Sequence, residues 1–106
     1  MSQAFSPYYA VIFTSRQKEN IEGYSEMAIK MEDLAKQQSG FLGMESVRDG
    51  IGITVSYWQS LDAIKQWKQQ SDHMLAQQKG RKNWYSWYRV RICKVEREYD
   101  FNSVHI

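Results

Sequence analysis

The segment YYAVIFTS, from Tyr8 to Ser15, is apolar on both of its parities. In an extended strand Tyr8, Ala10 and Ile12 point to one side, and Tyr9, Val11 and Phe13 to the other. Its β-branched and aromatic content favours a strand. A strand with one solvated face alternates polar with apolar; one that is water-averse on both sides belongs to a sheet covered on both faces. The rest of the chain must therefore supply, or recruit, two covers.

Residues 1–7, closed by Pro7, read as a flexible leader. RQKEN then reads as a turn, with Asn20 as a candidate helix cap. Ile21, Tyr24, Ala28, Met31 and Ala35 recur three and four apart, and Met27 and Leu34 widen the stripe. This predicts an amphipathic helix over about residues 20–38, with Gly23 in its first turn and Gly40 as its terminator. Asp49-Gly50 is the strongest turn signal in the chain, with Gly52 close behind. It predicts a hairpin in which Ile53, Val55 and Tyr57 oppose Thr54, Ser56 and Trp58. Ser60 then caps a second helix that carries Ile64 and Trp67 on one face and ends at Gly80. A last strand begins near Trp84 and runs to about Tyr99. Tyr88, Val90 and Ile92 share one parity, and Trp87, Arg89, Arg91, Cys93 and Val95 the other. A bulge there would switch the parity, so the faces of this strand stay unassigned.

Strand, helix, strand, strand, helix, strand is the split βαβ or ferredoxin-like order. The expected fold is α+β, with a four-stranded antiparallel sheet and both helices on one side. The expected domain spans residues 8–99, followed by a tail over residues 100–106. Two helices on one side cover only one face. The simplest second cover is another copy of the sheet, which makes a homodimer through sheet faces about 10 Å apart. At about 25 cal/mol per Å², burying roughly 1,000 Å² of apolar surface is worth on the order of 25 kcal/mol before association costs.

Composition narrows the partners. Residues 1–50 carry five basic and seven acidic side chains, and residues 51–106 carry nine and five. The net charge of +2 is a weak basic footprint. RKNWYSWYRVRI, from Arg81 to Ile92, mixes rings with basic groups, as a base-stacking surface would. The aromatic signature of sheet-based RNA binders is missing, however, and Glu96 and Glu98 break the basic run. Nucleic acid is not an expected partner; Arg81 to Asn83 read as a basic connection leading into an interface strand. No apolar run is long enough to span a membrane, and the start of the chain lacks a signal-peptide pattern. Cys93 is the single cysteine, so no disulfide forms within the chain, and a cytoplasmic setting is expected.

Few residues carry obvious chemistry. His73 lies in the second helix, and His105 lies next to the end. One internal histidine and one cysteine do not make a zinc site, so no metal is expected. Nucleophile elbows and phosphate loops are missing. Glu45 is a lone carboxylate in a strand; it would either face a cavity as a functional group or form an ion pair at a sheet edge or between subunits. Met27, Met31 and Cys93 read as core. Tyr24, Phe41, Tyr57 and Trp67 are the expected lining of an aromatic pocket between helices and sheet, suited to a small planar organic ligand.

AVIFTS, SGFLGMES, GITVSYWQSLDAIKQW and WYRVRICKVEREY, in this order, resemble the antibiotic biosynthesis monooxygenase domain family. The most diagnostic pieces are GFLG after the first helix and the Y-W-x-S-x-x-A-I-x-x-W run from Tyr57 to Trp67. The resemblance covers residues 8–99 and implies a dimeric α+β barrel. It implies a small cofactor-independent monooxygenase acting on a flat aromatic, polyphenolic or quinol-type molecule. Trp67 would shape the pocket, His73 would accept or relay a proton, and Tyr24 or Tyr57 would hydrogen-bond an oxyanion. Two alternatives remain: a non-catalytic ligand-binding or stress-related homodimer on the same scaffold, and a haem-binding or haem-degrading protein. In the haem-degrading relatives an asparagine lies on the first strand, and a histidine follows the tryptophan by ten residues. No asparagine occurs from Tyr8 to Ser15, and the histidine position is Gln77. No cofactor is expected; neither haem nor flavin is supported by a residue pattern.

Overall fold

In the computed structural model, which describes residues 5–78 and 84–102, the two-sided apolar strand lies inside the sheet. β1 (Tyr8–Gln17) is followed by α1 (Tyr24–Lys36), β2 (Phe41–Asp49), β3 (Ile51–Trp58), α2 (Leu61–Gln78) and β4 (Tyr85–Val95). The sheet order is β2-β3-β1-β4, with every pair antiparallel. This is the expected ferredoxin-like α+β fold.

Register assigns the faces, since residues paired across antiparallel strands share a side. Tyr9 pairs with Trp58, Val11 with Ser56 and Ser15 with Gly52. This is the helix side: Ala35 of α1 and Ala63 and Ile64 of α2 form one buried cluster with Trp58. Tyr9, Val11, Phe41, Met44 and Trp67 pack around that cluster. The Trp58 indole N–H donates to Ser56 Oγ at 2.8 Å, so its burial leaves no polar atom unsatisfied.

The opposite face carries Tyr8, Ala10 and Ile12 of β1, Ile51, Ile53, Val55 and Tyr57 of β3, and Val47 of β2. β4 adds Trp87, Arg89, Arg91, Cys93 and Val95 to it. Ile51, Ile53, Val47 and Trp87 are all exposed. Cys93, expected as core, is exposed here too, because it lies on the face that the helices do not reach. On the helix side, Val90 and Ile92 of β4 also remain open.

Two boundaries differ from expectation. α1 begins at Tyr24, not near residue 20, because Gly23 adopts a left-handed φ of 84° just before it. Asn20 caps a turn instead: its Oδ1 accepts the Glu22 N–H at 3.1 Å. β4 stops at Val95, not Tyr99, because its partner strand runs out where Tyr8 pairs with Val95. Ser60 does cap α2, its Oγ accepting the Ala63 N–H at 3.0 Å. Gly40 ends the α1 connection at φ 88°. Ala28, expected in the buried stripe, faces solvent; Met27 and Ala35 carry the burial. The expected stop at Gly80 and the connection through Arg81 to Asn83 lie outside the described residues.

Candidate functional site

Two strand irregularities shape the helix side. Between Arg16 and Gln17 of β1 the register with β4 jumps from Trp87 to Tyr85. Passing over Ser86 brings Tyr85 and Tyr88 to the same face despite their opposite parities. Between Phe41 and Gly43 the pairing with β3 passes over Leu42, which brings Phe41 onto Trp58 and leaves Leu42 exposed. Each bulge thus turns one ring inward.

The first inward group is Phe41, Trp58 and Trp67. Trp67 stacks on Trp58 at 5.7 Å and 25°, and Phe41 meets Trp58 edge-on at 5.4 Å. The second group gathers where β1 ends, β4 begins and α1 starts. Trp84 meets Tyr24 edge-on at 5.8 Å, and Tyr24 meets Tyr85 at 6.0 Å. Tyr85 meets Phe13 at 5.5 Å, and Phe13 stacks on Tyr88 at 5.3 Å. Trp84 is anchored, its indole N–H donating to the Glu22 carbonyl at 2.9 Å.

Arg48 closes the second group. The hairpin register places it opposite Gly52. A side chain at Gly52 would occupy the space that the Arg48 guanidinium fills. Its Nη2 donates to Ser15 Oγ at 2.8 Å, and Ser15 is fully buried. Its carbon lies 6.0 Å from the Tyr24 ring centroid, within cation–π range. Among the described residues no carboxylate pairs with it. Burial first, and then a hydrogen bond with Tyr24, raise the Tyr85 hydroxyl well above the usual phenol range, while Arg48 opposes the shift. Tyr85 is therefore a neutral hydroxyl at physiological pH.

The expected pocket of Tyr24, Phe41, Tyr57 and Trp67 does not form as one unit. Phe41 and Trp67 share Trp58, while Tyr24 belongs to the Arg48 group. Tyr57 is on the opposite face, because it alternates with buried Trp58 along β3. There its hydroxyl donates to Glu45 Oε1 at 2.7 Å, which pushes Tyr57 up to about 12. The neighbouring Tyr8 donates to Glu98 Oε2 at 3.0 Å and is also raised by that bond. Glu45 thus serves a strand-to-strand contact on the outer face.

His73 lies on the exposed side of α2. Six residues from Trp67 is about 120° around a helix, so the two do not share a face. His105 lies outside the described residues, as does the side chain of Gln77. Among the described residues, no cluster of three His, Cys, Asp or Glu could hold a metal ion, and no helix is long and apolar enough to cross a membrane.

Arg48, Ser15, Phe13, Tyr85 and Tyr88 are the site residues that pattern reading missed. Counting out from a two-residue Asp49-Gly50 turn would have set Arg48 against Ile51; the observed register, with Asp49 opposite Ile51, sets it against Gly52, a position without a side chain. A groove of about 570 Å³ opens beside this group, walled by α1 and Trp84. Lys18, Glu22, Glu26 and Lys30 give it charges of both signs, which suit water better than a flat apolar molecule. The ring-lined Arg48 group is the better candidate.

The chain is 56% identical over 94 residues to YqjZ, an uncharacterized protein of Bacillus subtilis; the match covers 87% of this chain and 82% of that protein. A variant of SnoaB, a cofactor-independent oxygenase from Streptomyces nogalater, superposes with a TM-score of 0.71 at 9% identity, covering 86% of this chain and 95% of that one. A putative antibiotic biosynthesis monooxygenase from Nitrosomonas europaea gives 0.67 at 11% identity, over 89% of this chain and 96% of that one. At such identities the likeness shows a shared fold. No family model matches the chain.

Proposed function

Because this chain belongs to the family of Bacillus subtilis YqjZ and has the fold of SnoaB, we propose that it is a small oxygenase-like protein acting on a flat aromatic or quinol-type molecule. The observation that carries the reading is the ring series Tyr24, Tyr85, Phe13 and Tyr88, which starts at Arg48 and runs along the helix side of the sheet. Rings at these angles present faces and edges to a planar guest. The substrate itself supplies the electrons for oxygen, as a stabilised carbanion or phenolate. The protein binds it, orients it and keeps water away. Tyr24 and Tyr85 are hydrogen-bonded to each other, which uses one of their two O–H groups, and the remaining one is the proposed donor to a developing oxyanion. Trp67 braces the other end of the helix side through Trp58. His73 is the proposed proton acceptor, although its exposure means that it would act from the rim.

The working form is a homodimer joined through the outer faces. The chain presents 8283 Å² of surface, whereas a compact 12.6 kDa monomer presents about 6,200 Å². Part of that surface is the apolar outer face that the helices leave bare, where Val47, Ile51, Ile53 and Trp87 are exposed.

Oxygen uptake with a panel of quinols and polycyclic phenols tests the activity. Uptake with at least one ring class, reduced at least tenfold in Tyr24→Phe, supports it. Binding without uptake across the panel replaces it with a ligand-binding scaffold. Unchanged turnover in His73→Ala discards the proton role. A Soret shift on haem titration would move the protein to the haem-binding class.

A further inference from the structure

We propose that Arg48 makes this site selective for anionic aromatics: planar ligands whose negative charge rests on an oxygen conjugated with the ring. The inference rests on the aromatic-site reading above and adds the charge of the ligand to it.

The first support is the way Arg48 is held. A long side chain on an edge strand is ordinarily free to swing in water. Here the bare backbone of Gly52 leaves room for the guanidinium on the helix side of the sheet. Buried Ser15, two strands away, fixes one end of the fork at 2.8 Å, and the Ser15 carbonyl lies 3.5 Å from Nη1. A buried hydroxyl and a missing side chain converge on one cation.

The second is what that cation lacks. Ser15 offers only neutral acceptors, and no described carboxylate reaches Arg48. A guanidinium has five donors, and Ser15 accounts for two, one of them at the limit of hydrogen-bond distance. Arg48 is exposed on its remaining side. The third is its surroundings. Tyr24 lies under the guanidinium, and Tyr85, Phe13 and Tyr88 continue the ring surface from there. A ligand lying on those rings would bring an attached oxygen toward the free donors. An ionised oxygen would gain a charge-assisted bond there, roughly twice as strong as a neutral one.

Intrinsic tryptophan fluorescence reads the test directly, since Trp84 adjoins Tyr24. Two pairs of probes are titrated without turnover: naphthoate against naphthamide, and ionised hydroxynaphthoquinone against its methyl ether. The first pair reports carboxylates and the second enolates. In at least one pair the anion should bind about tenfold tighter or more. The preference should vanish in Arg48→Gln, survive in part in Arg48→Lys, and shrink with added salt in the unaltered protein. Equal binding within both pairs, or a preference that survives Arg48→Gln or is insensitive to salt, overturns the proposal and leaves the aromatic-site reading standing. Failure of every probe to bind overturns both. Anion preference without oxygen uptake keeps the proposal and removes the oxygenase reading. Circular dichroism of each variant checks that it folds; should Arg48→Gln not fold, the salt dependence of the unaltered protein decides.

Discussion

Tyr57 shows how one residue's neighbour on the strand decides its chemistry. Trp58 beside it is fully buried against the helices, so Tyr57 must face outward, and there it meets Glu45. The hydrogen bond to Glu45, followed by burial, lifts its hydroxyl from 10.0 to about 12. A raised folded-state value sets the sign of the linkage. Below pH 10 the hydroxyl is protonated in both states, and its full contribution is present. Above that the unfolded chain loses the proton first, and the contribution drains away up to about pH 12. Urea midpoints of the natural protein should therefore fall more steeply over this window than those of Tyr57→Phe. Parallel curves would refute the Tyr57–Glu45 bond as a stabilising contact.

At the scale of elements, the connection from α1 to β2 depends on a residue without a side chain. Gly40 sits at φ 88°, and a Cβ there would lie 2.8 Å from the Ala63 Cβ of α2. Gly50, in the hairpin, has a similar φ of 77° but nothing within 4 Å. The left-handed conformation costs an ordinary residue about 1–2 kcal/mol, and overpacking adds about 1–3 kcal/mol. Gly40→Ala should thus lose about 2–5 kcal/mol in chemical denaturation, and Gly50→Ala only about 1–2 kcal/mol. Equal losses would mean that α2 yields at Ala63. Both turns were legible in the sequence, because glycine at a helix end and Asp-Gly between strands have local causes. The two bulges were not: nothing local marks Leu42 or Ser86 as the residue to be skipped. Those skips decide that Phe41 and Tyr85 turn inward.

For the whole molecule, the balance of covers matters most. Its Cα radius of gyration is 15.9 Å, against about 13 Å for a compact chain of this length. Tyr99 and Phe101 are about four-fifths exposed beyond the end of β4. A second copy across the outer face would bury Ile51, Ile53 and Trp87. Sedimentation at micromolar concentration should give twice the 12.6 kDa chain mass. Ile53→Lys should raise the dissociation constant by on the order of a hundredfold or more, since it buries an unpaired charge in that junction. A folded, stable monomer of the natural protein would remove the pairing and the face-to-face dimer with it.

The amino-acid order alone determined the ferredoxin-like succession of elements, the sheet's aversion to water on both sides and the places of Ser60, Gly40 and Asp49-Gly50. Each of these follows from short-range periodicity, capping or turn chemistry. Which rings meet was a matter for tertiary structure. Register and bulges carried Tyr57 away from Trp67 and brought Tyr85, Phe13 and Tyr88 together on the helix side. A one-residue shift in pairing reverses a side chain's face, and it depends on strands far apart in the chain. The grip of Ser15 on Arg48, across 33 positions, exists only once three strands lie side by side.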